Sequence, residues 1–433
     1  MSRRAAAAAL VVAAAFGCAE AEARVEAAAP SRPLLVTVDD LPIAAGKLHP
    51  DPASRAAVTD GLLAALRKHG IHAVGFVTWQ NVRSEADRGL LRRWLAAGHE
   101  LGNHTNGHLD YTRTSSERYI ADAEAGRAAL QALLTEQSRT IRFFRFPFLR
   151  EGETPEKLQA MRAWLAKTGQ RNMPVTIDDQ DWSYEEPWVA AGRRGGPDGA
   201  EEQKRIADDY HAALRLEIEH HEGVGDALFD RVTPQVLLLH ANAIGAAEWD
   251  RLFTWLEETG HRFAAADEVL ADPAFADPPA YVGDFGCSLW DRIRDGRRRA
   301  EAEKQVRGLL ERQIAAWNRG DLDEFCSIYA ADAAFLSPSG YRNGRDEVLA
   351  RYRRDYPDRA AMGRLTLDIT EVRTVSGTEF TLLGDAVPGR VQGVTVLGRW
   401  RIERDGRDPS SGGTLVVFRR AGEGWELIQD ASF

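Results

Sequence analysis

Short apolar runs alternate with amphipathic stretches from Ser31 to about Asp267. The runs at 34–38, 73–77, 100–103, 141–145, 175–177, 236–239 and 262–264 read as strands. Helical periodicity fills the spaces between them at 53–69, 89–97, 116–134, 155–167 and 248–259, with a further helix expected over about 201–222. Strands separated by helices imply βα units and a parallel sheet. Seven such strands suit a closed or nearly closed β/α barrel, where functional residues gather at the carboxyl ends of the strands. Asp39, Asp40, His104, Arg145, Asp178, Asp181 and His240 all lie just after an expected strand.

The pattern then changes twice. Residues 272–286 are rich in Pro, Asp and Gly and read as a linker or wrapping segment, and Arg residues concentrate over 292–299, read as a solvated helix start. From residue 301 onward, two helices (303–318 and 322–330) precede a run of strands. Residues 366–372 alternate, and a closing hairpin pairs 414–420 with 425–429. Helices followed by strands indicate an α+β domain. The expected organisation is therefore a targeting segment at 1–23, a barrel at 31–267, a linker at 268–300 and a second domain at 301–433.

A chain of 433 residues is long for one domain, and an apolar fraction of 44% is enough to build real cores. The net charge of -10, without a basic stripe, argues against nucleic acid as a partner. At the N-terminus, Arg3 and Arg4 precede an apolar stretch and small residues, the order of a secretory signal. Two processing sites compete there. Ala15-Phe16-Gly17-Cys18 has the form of a lipoprotein box with Cys18 as the lipidated residue, and Ala21-Glu22-Ala23 that of an ordinary cleavage site. Either places the protein in the bacterial periplasm or cell envelope. Cys287 and Cys326 remain, either as a disulfide or as two separate buried thiols.

Carboxylate and imidazole donors mark the candidate chemistry. Asp39 and Asp40 end one apolar run, His104 and His108 follow another, and His240 ends a third. A borderline divalent metal prefers such ligands, with zinc, cobalt and nickel all suited. Two imidazoles four apart would share a face of a helical turn and reach one ion. That constellation points to metal-assisted hydrolysis.

Thr37-Val38-Asp39-Asp40, His104-Thr105-Asn106-Gly107-His108, Arg145-Phe146-Pro147-Phe148, Asp178-Asp179-Gln180-Asp181-Trp182 and Leu238-Leu239-His240 occur in that order. Together they resemble the five motifs of the polysaccharide deacetylases, the NodB-homology family or carbohydrate esterase family 4, over 31–267. The resemblance implies an α/β fold, a distorted (β/α) barrel. It also implies one divalent metal, usually zinc, on Asp40, His104 and His108. Asp39 would be the general base, oriented by Arg145. His240 would be the general acid, paired with Asp181. Trp182 would wall the groove, Leu238 would line the acetyl pocket, and the oxyanion would be held by the metal and a backbone N–H near Phe148. The substrate implied is an N-acetylated glycan.

Two motifs depart from the family pattern. Leu41 follows Asp40 where many members have Gly, and Phe148-Leu149-Arg150 stands where Tyr-Gly is common. Ala315–Asp321, Tyr329–Ala333 and Trp425–Asp430 resemble the NTF2-like superfamily in its SnoaL-like branch. This implies a cone-shaped α+β domain with a pocket, dimerisation or ligand binding as its role, and structural roles for Asp332, Tyr341 and Arg399. The functions weighed are N-deacetylation of an amino-sugar polymer, a glycan-binding module without turnover, and deacylation of a small non-polymer amide.

Overall fold

The computed structural model describes residues 31–276, 282–283, 286–376 and 391–433. The targeting segment and Cys18 lie outside them. Among the described residues no helix is long and apolar enough to cross a membrane.

Seven parallel strands build the first domain: β1 (Arg32–Leu41), β2 (Val74–Val77), β3 (Glu100–Asn103), β4 (Phe143–Phe144), β5 (Arg171–Asn172), β6 (Gln235–His240) and β7 (His261–Phe263). The sheet runs β5-β4-β3-β2-β1-β6, with β7 pairing the start of β1. The stretch after β5 brings the ring round. Arg171 and Asn172 pair with β4, while Ile177 bridges Leu237 of β6. The expected strand at 175–177 is thus reduced to a bridge, and the run at 141–145 pairs only over its centre. This is the expected distorted (β/α) barrel.

Helices α1 (Pro52–Lys68), α2 (Glu85–Ala96), α3 (Ser116–Thr135), α4 (Pro155–Thr168), α5 (Glu185–Arg194), α6 (Gly196–Phe229), α7 (Ala243–Glu258) and α8 (Ala266–Leu270) follow the strands. Their starts are chemically marked. Asp51, Ser84, Ser115, Thr154 and Asn242 each accept a backbone N–H of the first turn through the side chain, and Pro stands at the head of α1 and α4. The helix expected over 201–222 extends over Gly196–Phe229. Its Ile206, Tyr210, Leu214 and Ile218 pack with α7 and with the outward faces of β1 and β6, so it takes the place of a barrel helix.

Alternation along β1 sorts its residues. Leu34, Val36 and Val38 face the helices, while Leu35, Thr37 and Asp39 face inward. Leu35, Val74, Phe76, Phe143, Met173 and Val236 fill the interior and continue into Val269, Leu270, Phe275, Leu289 and Trp290. The barrel is therefore plugged at its amino end by the segment read as a linker.

That segment leads into α9 (Leu289–Arg319), which starts well before the helix expected at 303–318. Ser288 caps it, the Leu289 N–H donates to the Val175 carbonyl at 2.6 Å, and Trp290 Nε1 donates to Gln235 Oε1 at 2.9 Å. Arg292, expected in solvent, is only 3% exposed. It is drawn in by acceptors on the third motif described below. The far half of α9 places Ala302, Val306, Leu310, Ala316 and Trp317 in a second core, so one helix serves both cores.

The second domain adds α10 (Leu322–Cys326), β8 (Tyr329–Ser337), β9 (Gly340–Asn343), α11 (Arg345–Asp355), α12 (Arg359–Met362), β10 (Arg364–Ser376), β11 (Val391–Arg404), β12 (Arg407–Ala421) and β13 (Gly424–Ser432). The expected helix at 322–330 stops at Cys326, where the chain turns into β8. The sheet order is β10-β11-β12-β13-β8-β9, mixed because β13 and β8 run parallel. This is the NTF2-like arrangement. Cys287 and Cys326 are both free thiols, each pushed up by burial, to about 11 and about 12.

Trp290 has no exposed surface and plugs the barrel. Trp290→Ala is expected to cost about 3–5 kcal/mol of unfolding free energy, measured by denaturant titration. A loss below about 1 kcal/mol would mean that the start of α9 contributes nothing to the barrel core.

Candidate metal centre

Asp39 is the last inward residue of β1 and is 2% exposed. Arg145, which follows β4, has no exposed surface; its Nη1 donates to Asp39 Oδ1 at 2.7 Å and to Thr37 Oγ1 at 2.8 Å. The guanidinium lies over the Phe76 ring at 4.3 Å. Burial lowers the Arg145 pKa from its ordinary value, and the Asp39 carboxylate works against that fall. A buried pair of this kind is costly to break, about 3–5 kcal/mol when one partner is lost.

Asp40 has left-handed backbone, φ 64°, which turns its carboxylate out of the β1 alternation. Thr78, immediately after β2, donates its hydroxyl to Asp40 Oδ1 at 2.7 Å. Asp40 Oδ1 stands 3.7 Å from His108 Nε2. The donor atoms of Asp40, His104 and His108 all lie within 4.8 Å of one another. Burial opposes ionisation of Asp40, yet the facing His108, His104 and His240 hold its pKa below the usual carboxylate range.

His104 Nδ1–H donates to the Arg145 carbonyl at 2.9 Å, which leaves Nε2 as the lone-pair atom. Burial lowers the His104 pKa, so the neutral ring that a metal requires is favoured. The two imidazoles do not share a helical turn, as their spacing suggested. Residues 104–110 form a loop in which Thr105 (φ 67°) and His108 (φ 53°) are left-handed. Asp122 of α3 ties the loop by accepting the Gly107 N–H at 2.9 Å. Gly126 permits the approach of α3, since a Cβ there would sit 2.5 Å from the Thr105 carbonyl carbon.

His240 ends β6 in register with Asp39, which sets the two side chains on adjacent strands facing the same way. Its Nδ1–H donates to Asp181 Oδ1 at 2.5 Å, and its backbone N–H donates to Asp181 Oδ2 at 2.8 Å. Asn242 steadies the same carboxylate at 3.1 Å. Burial alone would strip the ring of its proton, but Asp181, with Asp40 and Asp39, raises the His240 pKa to about 10. Asp178 is pushed up to about 6 and Asp179 well above its ordinary value, both chiefly by burial.

The remaining sequence-predicted residues differ in exposure. Phe148 is 53% exposed and its ring meets His108 edge-on at 4.6 Å; Trp182 is 58% exposed on a short turn that begins at Asp181. Leu238 is 4% exposed and lies beside Thr37 inside the barrel. Thr78 and Asn242 were missed from sequence, although each lies within two residues of a strand end or a motif residue, and Thr37 was read in the first motif without a role.

The second domain holds a cavity of about 350 Å³ lined by Trp317, Tyr329, Arg351, Tyr352 and Asp430 among others. Tyr329 donates its hydroxyl to Asp430 at 2.5 Å, and burial raises the Asp430 pKa. Asp332, Tyr341 and Arg399 do not line it.

Asp40, His104 and His108 offer one donor atom each, a set that could hold one divalent ion. Tetrahedral zinc at about 2.0–2.2 Å from N and O ligands separates them by roughly 3.3 Å, close to the 3.7 Å between Asp40 and His108. One carboxylate and two imidazoles leave a coordination position open, as catalytic sites require. In metal-free protein, Asp181→Asn is expected to drop the His240 pKa to or below the ordinary imidazole value of about 6.5, followed by NMR. A His240 that still titrates in the alkaline range would mean that Asp181 does not hold its proton.

Comparison with known proteins agrees with the fold. The polysaccharide deacetylase family profile matches residues 26–164, and the SnoaL-like domain profile matches residues 310–407. An uncharacterized 30.6 kDa protein from Geobacillus stearothermophilus is 25% identical over 225 residues, covering 52% of this chain and 69% of that protein. A CE4 family pseudoenzyme from Bacillus anthracis is 16% identical, with 56% of this chain and 66% of that chain covered and a TM-score of 0.36. An NTF-2 like protein of unknown function from Shewanella oneidensis MR-1 is 30% identical, with 30% of this chain and 97% of that chain covered and a TM-score of 0.26. The chain carries a polysaccharide deacetylase domain followed by a SnoaL-like domain.

Proposed function

We propose that the protein is an exported metal-dependent hydrolase that removes N-acetyl groups from an amino-sugar polymer or oligomer, releasing acetate and leaving a free amine. The observation that supports this most is the meeting of Asp39, Asp40, His104, His108 and His240 at the carboxyl ends of the β1, β3 and β6 strands. Export is inferred from the signal-like order of residues 1–23.

Asp40, His104 and His108 would hold the ion. When bound, it supplies Lewis-acid activation of water and of the amide carbonyl. Asp39 accepts the proton of the attacking water, and the Arg145 guanidinium at 2.7 Å keeps it oriented. The Phe148 N–H has no acceptor among the described residues and is the backbone donor offered to the developing oxyanion. His240, charged through Asp181, carries the proton that the departing amine requires. Asp39 and His240 sit on adjacent strands, so one removes a proton and the other returns one across a single bound amide. The exposed rings of Phe148 and Trp182 offer flat apolar faces to a sugar.

A glycan-binding module without turnover is the competing reading, favoured by the altered third motif. Acetate release from N-acetylglucosamine oligomers separates the two. Asp39→Asn is expected to lower kcat by at least about 10³-fold with zinc affinity by calorimetry unchanged, whereas His104→Ala loses the ion itself. Activity surviving Asp39→Asn would remove the general-base role. In the pH profile, the imidazolium form of His240 is lost as pH rises, so kcat should fall on the alkaline side. Asp181→Asn should move that fall to lower pH.

A further inference from the structure

The third-motif turn has an unusual backbone. Phe148 (φ 57°) and Leu149 (φ 52°) are successive left-handed residues, neither of them glycine. Each left-handed L-residue costs about 1–2 kcal/mol, so such a turn persists only where its surroundings over-determine it. The turn's own hydrogen bonds are two: Leu149 N–H to the Phe146 carbonyl at 3.1 Å and Arg150 N–H to the Pro147 carbonyl at 3.2 Å.

The outward carbonyls of the same turn are engaged by the segment that enters α9. Gly286 lies flat against the Phe148–Leu149 peptide; a Cβ at that position would stand 1.7 Å from the Phe148 oxygen. Arg292, buried in the first turn of α9, donates through Nη2 to the Leu149 carbonyl. Its Nε donates to the Cys287 carbonyl at 3.1 Å, and its Nη1 faces Glu151 Oε1 at 3.3 Å. Glu151 is held in turn by Asn172 Nδ2 at 3.0 Å. One planar guanidinium thus ties Leu149, Cys287 and Glu151 together, a task suited to the fixed fork of Arg. The α9 start is anchored independently by Leu289 and Trp290 on the barrel.

We propose that Arg292 and Gly286 are positioning residues for the third motif. They clamp the left-handed Phe148–Leu149 turn so that the Phe148 N–H and ring face the metal side of the site. The proposal rests on the deacetylase reading for its kinetic consequence, though not for the clamp itself. The clamp comes from the helix that also enters the second core, so the turn nearest His108 is held from outside the motif set.

Arg292→Ala removes the fork, Arg292→Lys leaves a single reach, and Gly286→Ala displaces the turn without removing a hydrogen bond. With full-length protein and N-acetylglucosamine oligomers, the Ala variants are expected to lose kcat by about 10²-fold, with zinc affinity near wild type. The Lys variant should lie between. Amide exchange at Leu149 and Arg150 should quicken in the same order. Wild-type exchange at these two amides in folded Gly286→Ala and Arg292→Ala protein would overturn the clamp. Faster exchange with unchanged kcat would overturn the positioning role. Should Arg292→Ala fail to fold, Arg292→Lys and Gly286→Ala carry both readouts. An inactive wild type would sink the deacetylase reading alone, because exchange still decides the clamp.

Discussion

An ion pair sealed inside a barrel is the constraint around which this site is arranged. Arg145 has no exposed surface, and Asp39 almost none. Desolvating two charges is expensive, and the attraction between them compensates only with good geometry and satisfied remaining atoms. Thr37, the Phe76 face and the Arg145 carbonyl's bond with His104 supply part of that geometry. The same carbonyl fixes the His104 tautomer, so the orientation of Asp39 and the free Nε2 of His104 both come from Arg145. Below the pair, Phe76, Phe143 and Met173 pack with Phe275, Leu289 and Trp290.

The site balances charge by position. Asp39 faces a permanent cation, Asp40 faces two imidazoles, and His240 faces a dedicated carboxylate. The three sets also act on one another, since Asp40 and Asp39 add to the hold of Asp181 on His240, and His104 stands 3.7 Å from Asp39.

Much of this was legible in the chain. Six of the seven apolar runs became strands, because parallel barrel strands are buried on both sides and read as continuous apolar segments; the run at 175–177 is only a bridge, and β5 forms at Arg171–Asn172 instead. Motif residues at strand ends followed from the topology. Three things were not legible. The His104–His108 loop mimics helical spacing, yet its shape comes from left-handed residues and from Asp122, fifteen positions or so away in sequence. Thr78 lacks a motif of its own and is visible only when β2 is placed beside β1. Arg292 sat in a charge run, where solvation is the ordinary outcome; its burial depends on the Leu149 carbonyl, 143 positions away along the chain. The plug at the barrel base was hidden for the same reason, since Pro and Gly mark irregular backbone without saying what it covers.

The length of α9 has one more implication. Thirty-one residues of continuous helix measure about 46 Å, and its two ends are buried in different cores. No Gly/Ser tether of the usual interdomain kind lies within that rod. Bending it would require breaking backbone hydrogen bonds mid-helix rather than swinging a loop, so the cone and the barrel travel as a single stiff body. Anything seated in one module would therefore keep a fixed bearing toward the other.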